Sequence, residues 1–499
     1  MKLIAKNKTV ACIYSALLMP AFAFAADYYY TASSNLVWSN SSYAGWSVKS
    51  GDTFVAAENP PSLDDNLYFD PANYTSNRLY LNSSDSYYVK DIYVKNSSTA
   101  ETLLCWDTKT DAQSTPFNAS GTLYVTGASS SYDFQFIYAD SSVGDNGAPK
   151  LDVTLGGIWM SADGTTSSNV DKEIKAKLLF GSTSKLLNSL TVNGNVDLYS
   201  FSTLSTYAET VKISGVISFH AKDWSNNAGW IFACVENKNI RYEIGGLSAE
   251  GEWARVMGSG DVKGASNTIV FNNAADTHYV YKGKIADSTT YGAASYAHVS
   301  KLNLEMNGEG IQEIMMQDMN NCFITGTVTV NNGTLRIRNG VATGDLYLNN
   351  GVFGVANRVE KNNKYITTGV HWKGGMLELE VCSGKDVLVV EGAFERDAEA
   401  TGKLMFDIDF IASDFEKLDN GEVECLSYNL LTADSLKGFS DLNSELGLYA
   451  LDSKYEATFS FADGVLSTAI KLAAVPEAAE VATLFGIIAL GFVAYRRRK

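Results

Sequence analysis

Proline is scarce in this 499-residue chain, at 7 residues, and histidine scarcer still, at 4. Charged residues make up only 19%. Gly, Ser, Thr and Asn fill the space they leave, which excludes a typical helical or disordered chain and suits strands separated by Gly/Asn turns. Basic charge is also short: Lys+Arg 39 against Asp+Glu 56, a formal net charge of -17. Phosphate binding requires clustered Lys and Arg, so no nucleic-acid partner is expected. The acidity favours solubility and would attract divalent cations only weakly.

The chain has 6 cysteines and no C-x-x-C pair, so neither a zinc knuckle nor a redox motif is indicated. Cys12 falls within the N-terminal leader described below. Cys105, Cys234, Cys322, Cys382 and Cys425 are far apart and read as small buried hydrophobes, with one or two bridges open to them in an oxidising compartment. His220, His278, His298 and His371 belong to no H-E-x-x-H motif and read as surface or strand histidines. Nucleophile elbows, phosphate loops, dinucleotide fingerprints and calcium loops are all missing from the sequence. No catalytic residue, cofactor or metal ligand is assigned.

What is present begins at the two ends. Lys2, Lys6 and Lys8 precede an apolar stretch, and Ala23-Phe24-Ala25 places small residues where signal peptidase requires them. Cleavage is expected between Ala25 and Ala26, which implicates signal peptidase and the secretion machinery as partners. At the other end, residues 481–495 are apolar and Arg496-Arg497-Arg498-Lys499 closes the chain. That tract predicts a single C-terminal hydrophobic helix, a marginal membrane span whose basic end stays cytoplasmic. Val475-Pro476-Glu477, the apolar segment with its central Gly and the terminal Arg run resemble the PEP-CTERM sorting signal, with Ala478 at the position of the family's second Pro. The resemblance covers about the last 25 residues. It implies an exosortase-like membrane enzyme as partner, transient inner-membrane anchoring, and then transfer to the cell surface, outer membrane or medium.

Between the ends, alternation dominates. In Asp64-Asp65-Asn66-Leu67-Tyr68-Phe69-Asp70 a turn leads into a half-buried strand with Leu67 and Phe69 inward. Asp27-Tyr28-Tyr29-Tyr30, Val37-Trp38, Gly45-Trp46 and this segment, in this order, are similar to the opening of autotransporter-like β-strand-repeat proteins. Trp38 and Trp46 are expected to cover the end of the first β-layer, because a terminal rung exposes unpaired edge groups.

Further on, one pattern recurs: apolar-x-apolar, Asn and Gly, apolar-x-apolar. It occurs at Leu190 to Leu198, Val328 to Ile337 and Leu346 to Phe353, with a partial copy at Leu302 to Gly308. Asn and Gly tolerate the positive φ of tight turns, so hairpins or the corners of a coil would both fit. Gly333 and Gly351 are one short coil apart, and the remaining spacings are irregular.

The expected fold is therefore all-β: an irregular right-handed parallel β-helix over 26–373, a terminal β-module over 374–473 with longer alternating strands, and a sorting tail over 474–499, after a signal at 1–25. β-sandwich domains are the alternative. The tail lacks the strands of a membrane β-barrel.

Asp407 and Asp409, two apart on a strand, are the best carboxylate pair for hydrolysis or calcium, but they read first as a solvated strand face. Tyr87, Tyr88, Trp224 and Trp230 are candidate sugar-stacking rings that pack or cover edges equally well. The function expected is a non-enzymatic envelope, surface or extracellular-matrix protein, structural or adhesive, with extracellular polysaccharide as a candidate partner. A secreted β-helix polysaccharide lyase or glycosidase, or a carbohydrate-binding protein, is the rival.

Overall fold

A computed structural model describes residues 25–473, apart from 40–44, 77, 83–84, 100–101, 108–114, 130–132, 139–150, 165–173, 183–185, 222–227, 288–299, 316–323, 339–341, 356–362 and 385. The leader before residue 25, the sorting motif and the 481–495 tract lie outside this range. Among the described residues no helix is long and apolar enough to cross a membrane. The described chain is all-β with long parallel sheets, and falls into two compact units. One runs to Ala274 and includes Tyr279–Asn303; the other holds Ala275–His278, Leu304–Met315 and the described residues after 323.

In the first unit, strands Asn66–Phe69, Ile92–Lys95, Thr115–Thr126, Leu151–Ser161, Val196–Leu198 and Ala208–Phe219 stack in parallel: Leu67 faces Ile92, Ile92 faces Leu123, Leu123 faces Ile158, Ile158 faces Val196, and Val196 faces Ile217. A second parallel sheet takes the alternate strands, from Leu36–Trp38 through Arg78–Asn82 and Thr102–Asp107 to Arg255–Gly258 and Lys284–Ala286. Each coil thus contributes to both sheets, as in a β-solenoid. Alternation explains which side chains go inside. Leu67, Ile92, Leu123, Ile158, Val196 and Ile217 form one buried column, each at most 1% exposed. Burying each such side chain is worth about 1.5–3 kcal/mol.

The Asn-Gly segments do not make hairpins. Leu187–Val192 and Val196–Leu198, on either side of Gly194, both run parallel to the same neighbour, Leu151–Ser161. A Cβ on Gly194 would lie 2.4 Å from the Gly156 carbonyl, so glycine here lets one coil's backbone rest on the next. This parallel pairing differs from the antiparallel sheets of a sandwich.

The second unit repeats the scheme. Residues 304–306, Val328–Val330, Leu346–Leu348 and Val370–Trp372 form one parallel ladder. Ile311–Met315, Thr334–Arg338, Val352–Val355, Met376–Leu379, Leu404–Ile408 and Leu446–Leu448 form the other. Here each Asn-Gly corner passes the chain from one ladder to the other. Asn331 sits between its equivalents: Asn349 Nδ2 donates to Asn331 Oδ1 at 2.7 Å, and Asn331 Nδ2 to Asn307 Oδ1 at 2.8 Å. Parallel pairing continues past residue 374, where the sequence texture changes. Antiparallel pairing enters with Val465–Leu472, which is flanked by Leu426–Lys437 and Tyr455–Ala462. Asp463 and Gly464, at φ 50° and 77°, make the two-residue turn of that last hairpin. The helices among the described residues are two short ones, Ala412–Asp419 and Leu442–Glu445.

Trp38 and Trp46, expected to cover the end of the first layer, lie inside the core instead. Trp38 and Trp46 are each 1% exposed, with ring centroids 5.2 Å apart, and pack on Tyr30, Phe69 and Tyr87. The hairpin Trp46–Ser50 and Thr53–Ala56 lies antiparallel on Asp27–Tyr30 and covers its edge.

Candidate functional site

The same alternation that buries Leu67 and Phe69 turns Tyr68 outward. Because the register repeats from coil to coil, Tyr29, Tyr68, Tyr93, Tyr124 and Trp159 stand opposite one another on successive strands. Their centroids are 4.7, 4.6, 4.8 and 6.0 Å apart. The first three separations equal the spacing of neighbouring strands, so the backbone sets the ring spacing. Each such contact adds about 0.5–1.5 kcal/mol beyond area burial. Two residues further along the strand direction the row continues: Trp159 lies 5.5 Å from Tyr199, and Tyr199 stacks on His220 at 4.3 Å.

Within the tyrosine run the ring faces are covered by their neighbours, with interplanar angles of 18°, 7° and 5°. The four half-buried side chains form a comb on the outer face of the sheet, with the Tyr68 hydroxyl hydrogen-bonded to Asp27. Burial pushes the Tyr68 hydroxyl well above its ordinary range, and the Asp27 carboxylate adds to the effect. Tyr93 is raised by burial, then by Asp91 and Tyr124. These phenols therefore stay protonated and can both donate and accept hydrogen bonds.

A groove of about 330 Å³ runs beside the comb, lined by Tyr29, Tyr68, Tyr93 and Tyr124 together with Lys49, Asp70 and Lys95. Lys49 Nζ lies 4.9 Å from the Tyr29 centroid, a cation–π contact. Lys95 Nζ is 3.9 Å from Asp70. Hydroxyls, an amphipathic wall and both signs of charge line one channel, a set suited to hydrogen-bonding a polyhydroxylated chain laid along the coils.

The three described histidines are tied to carboxylates. His220 lies between Asp197 (Nε2, 3.0 Å) and Glu250 (Nδ1, 2.9 Å), and its pKa is raised, first by the Asp197 hydrogen bond, against burial. His371 stacks on Tyr347 at 4.7 Å and has Asp345 at 3.4 Å and Glu395 at 3.6 Å. His278 Nε2 is 3.1 Å from Glu313. His298 falls outside the described residues, as does Trp224. Among the described residues no group of three or more His, Cys, Asp and Glu side chains is arranged to hold a metal ion.

Asp407 and Asp409 part company. Asp409 accepts the backbone N–H groups of Cys382 (2.7 Å) and Ser383 (3.0 Å) and so holds a turn. Asp407 stands beside Glu378 on the neighbouring strand. Burial raises its pKa, Glu378 raises it further and Arg336 opposes. Arg336 Nε bridges both Glu378 oxygens at 3.1 and 2.9 Å, passing over Gly354, where a Cβ would meet Arg336 Cγ at 2.9 Å.

Of the other candidate rings, Trp230 is buried and donates to Thr206, and Tyr87 is buried and donates to the Trp38 carbonyl. Tyr88 is 48% exposed. Cys234, Cys382 and Cys425 are free thiols: Cys234 is buried as expected, Cys425 is exposed, and burial together with Asp409 pushes Cys382 up to about 12. The side chains of Cys105 and Cys322 lie outside the described residues.

At the expected cleavage point Ala25 is exposed and Ala26 half-buried, just ahead of strand Asp27–Tyr30. Val475, Pro476, Glu477, Ala478, Arg496, Arg497, Arg498 and Lys499 lie outside the described residues.

Sequence inspection missed the comb. Its signal is a repeated apolar-aromatic-apolar triplet: Leu67-Tyr68-Phe69, Ile92-Tyr93-Val94, Leu123-Tyr124-Val125 and Ile158-Trp159-Met160. No family model matches the chain, and no curated protein matches it.

Proposed function

We propose that the chain is an exported envelope or surface protein, structural and adhesive, whose coils form an irregular right-handed β-helix closed by a terminal β-module over 374–473. In this reading the leader is removed after Ala25, and the Val475–Pro476–Glu477 tail is handled by an exosortase-like enzyme. The passenger is held briefly at the inner membrane and then moves to the cell surface or matrix. The observation that carries the adhesive part is the outward comb of Tyr29, Tyr68, Tyr93 and Tyr124 beside a groove lined by Lys49, Asp70 and Lys95. Its ring faces are occupied, so extracellular polysaccharide would be held by the hydroxyl row, not by sugars stacking on open rings.

Terminal peptide mapping by mass spectrometry, on protein recovered separately from membranes and medium, tests the trafficking. Loss of the 481–499 tract from the surface or medium form is expected. A chain that keeps Lys499 in the membrane fraction would make the tail a permanent anchor and end the sorting reading.

The Arg336, Glu378 and Asp407 column favours one second reading, a polysaccharide-cleaving enzyme with Asp407 as proton carrier. Product release from acidic or neutral polysaccharides that Asp407→Asn abolishes would establish it. Equal background in both proteins would remove it.

A further inference from the structure

The first strand begins one residue after Ala26, where the expected cleavage would create a new amino terminus. The Ala26 backbone N–H donates to Asp65 Oδ1 at 2.7 Å, and the Ala26 carbonyl accepts the Asn66 N–H at 3.0 Å. Asp65 is only 7% exposed. Its second oxygen accepts the Ser62 N–H at 2.8 Å and the Ser62 hydroxyl at 2.6 Å. The Asp65 N–H donates to the Ser62 carbonyl, and the Asp65 carbonyl accepts the Lys90 N–H. The carboxylate is thus fixed in a turn, tied to the following coil and aimed at Ala26. Its three hydrogen-bond donors are all neutral in the uncut chain. A buried carboxylate is far better compensated by a cationic donor than by neutral ones.

We propose that Asp65 is the receptor for the α-ammonium group of Ala26, so that removal of the leader creates an ion pair locking the first coil to the second. The inference rests on the export reading, which supplies the cleavage. Hydrolysis of the Ala25–Ala26 bond consumes one water, leaves a carboxylate on Ala25 and frees the Ala26 amine. That amine takes up a proton at neutral pH, its ordinary pKa being about 7.7–8.0. One ammonium hydrogen replaces the amide hydrogen already directed at Oδ1, and Ser62 keeps Oδ2. Coiled β-structures fray from their terminal coils, whose outer side has no neighbour. A charge-assisted bond from the first residue of the first coil to a fixed group in the second opposes that fraying where it starts. The expectation that Asp65 serves as a turn residue holds as well: one oxygen makes the turn and the other faces Ala26.

The test starts from the processed chain recovered from cells, with its first residue identified by mass spectrometry. Four forms are then compared: the unaltered sequence and Asp65→Asn, each with the Ala26 amine free or α-acetylated. Acetylation of the unaltered protein is expected to lower its melting temperature by about 2–4 °C. It should also speed amide exchange at Tyr28 to Tyr30 by about tenfold, since a charge-assisted bond is worth roughly that factor. In Asp65→Asn the same acetylation should change neither. A lock of this kind raises the amine's pKa in the folded state. Its contribution is then complete below the unfolded value and disappears as pH rises through the folded one. Acetylation that leaves Tyr28 to Tyr30 exchange unchanged in the unaltered protein would overturn the lock, with no mutation involved. Equal losses with and without Asp65 would overturn it too. A natural first residue other than Ala26 would instead overturn the cleavage site, and the lock with it.

Discussion

The two units stack side chains coil upon coil, yet they do it with opposite chemistry. In the first unit the outward column is tyrosine, spaced by the strands at 4.6–4.8 Å. In the second, the corner column is asparagine, each amide donating to the one before. The asparagine column spends its hydrogen bonds on itself. The tyrosine column is held by ring contact, with the Tyr68 hydroxyl also hydrogen-bonded to Asp27. One repeating backbone can therefore be seamed by amide hydrogen bonds or by ring stacking, depending on which side chain occupies a repeated position.

The largest effect should come from the aromatic plug of the first unit. Trp46→Ala removes a ring touching Tyr30, Trp38 and Phe69, and should cost about 3–5 kcal/mol. Chemical denaturation followed by tyrosine and tryptophan fluorescence reads this directly. A cost below about 1 kcal/mol would mean the plug does not close the first coil.

Next comes the corner glycine of the second unit. Gly351 has φ 73°, and a Cβ there would lie 2.5 Å from the Gly333 carbonyl. Gly351→Ala should cost about 2–4 kcal/mol from strain and lost stacking together. Gly384 has φ 67° with nothing within 4 Å, so Gly384→Ala isolates the backbone term at about 1 kcal/mol. Equal costs at the two positions would show that coil-on-coil contact adds nothing.

The seams themselves differ less. Asn331→Ala breaks the amide chain on both sides and should cost about 1–2 kcal/mol. Tyr93→Phe keeps the stack and should fall within about 0.5 kcal/mol of the unaltered protein. If Tyr93→Phe were the costlier, the hydroxyl comb would be structural and not free for a ligand.

The smallest effect is pH-dependent. The folded pKa of His220 is raised, chiefly by its hydrogen bond to Asp197. Its contribution is thus complete below the unfolded value of about 6.5 and fades as pH rises through the folded value. His220→Gln should flatten that part of the stability curve, measured by thermal melts at stepped pH. A slope that survives the change belongs to other groups.

Much of this was legible in the sequence. Alternation at Leu190, Val192, Val196 and Leu198 identified the buried face, because a strand's period of two is fixed by geometry. The single coil between Gly333 and Gly351 showed in their spacing, which the Asn331 and Asn349 pair shares at 18 residues. Whether Asn-Gly made hairpins or corners was not legible, since both demand the same backbone freedom. The tyrosine comb was hidden for a different reason. Tyr29, Tyr68, Tyr93 and Tyr124 are unevenly spaced in sequence, because each coil carries a different loop length, and only the pairing register aligns them. The divergence of Asp407 from Asp409 was hidden as well. Asp409 lies just past strand Leu404–Ile408, where its carboxylate meets a turn from another coil.

The most direct test of the central claim is retention of the processed protein on immobilised extracellular polysaccharide, comparing the unaltered chain with a Tyr93→Phe, Tyr124→Phe variant. The comb predicts at least a tenfold loss of affinity with an unchanged melting temperature, because rings and stacking persist while the hydroxyls go. Equal retention of both proteins, or no retention of either, would contradict it.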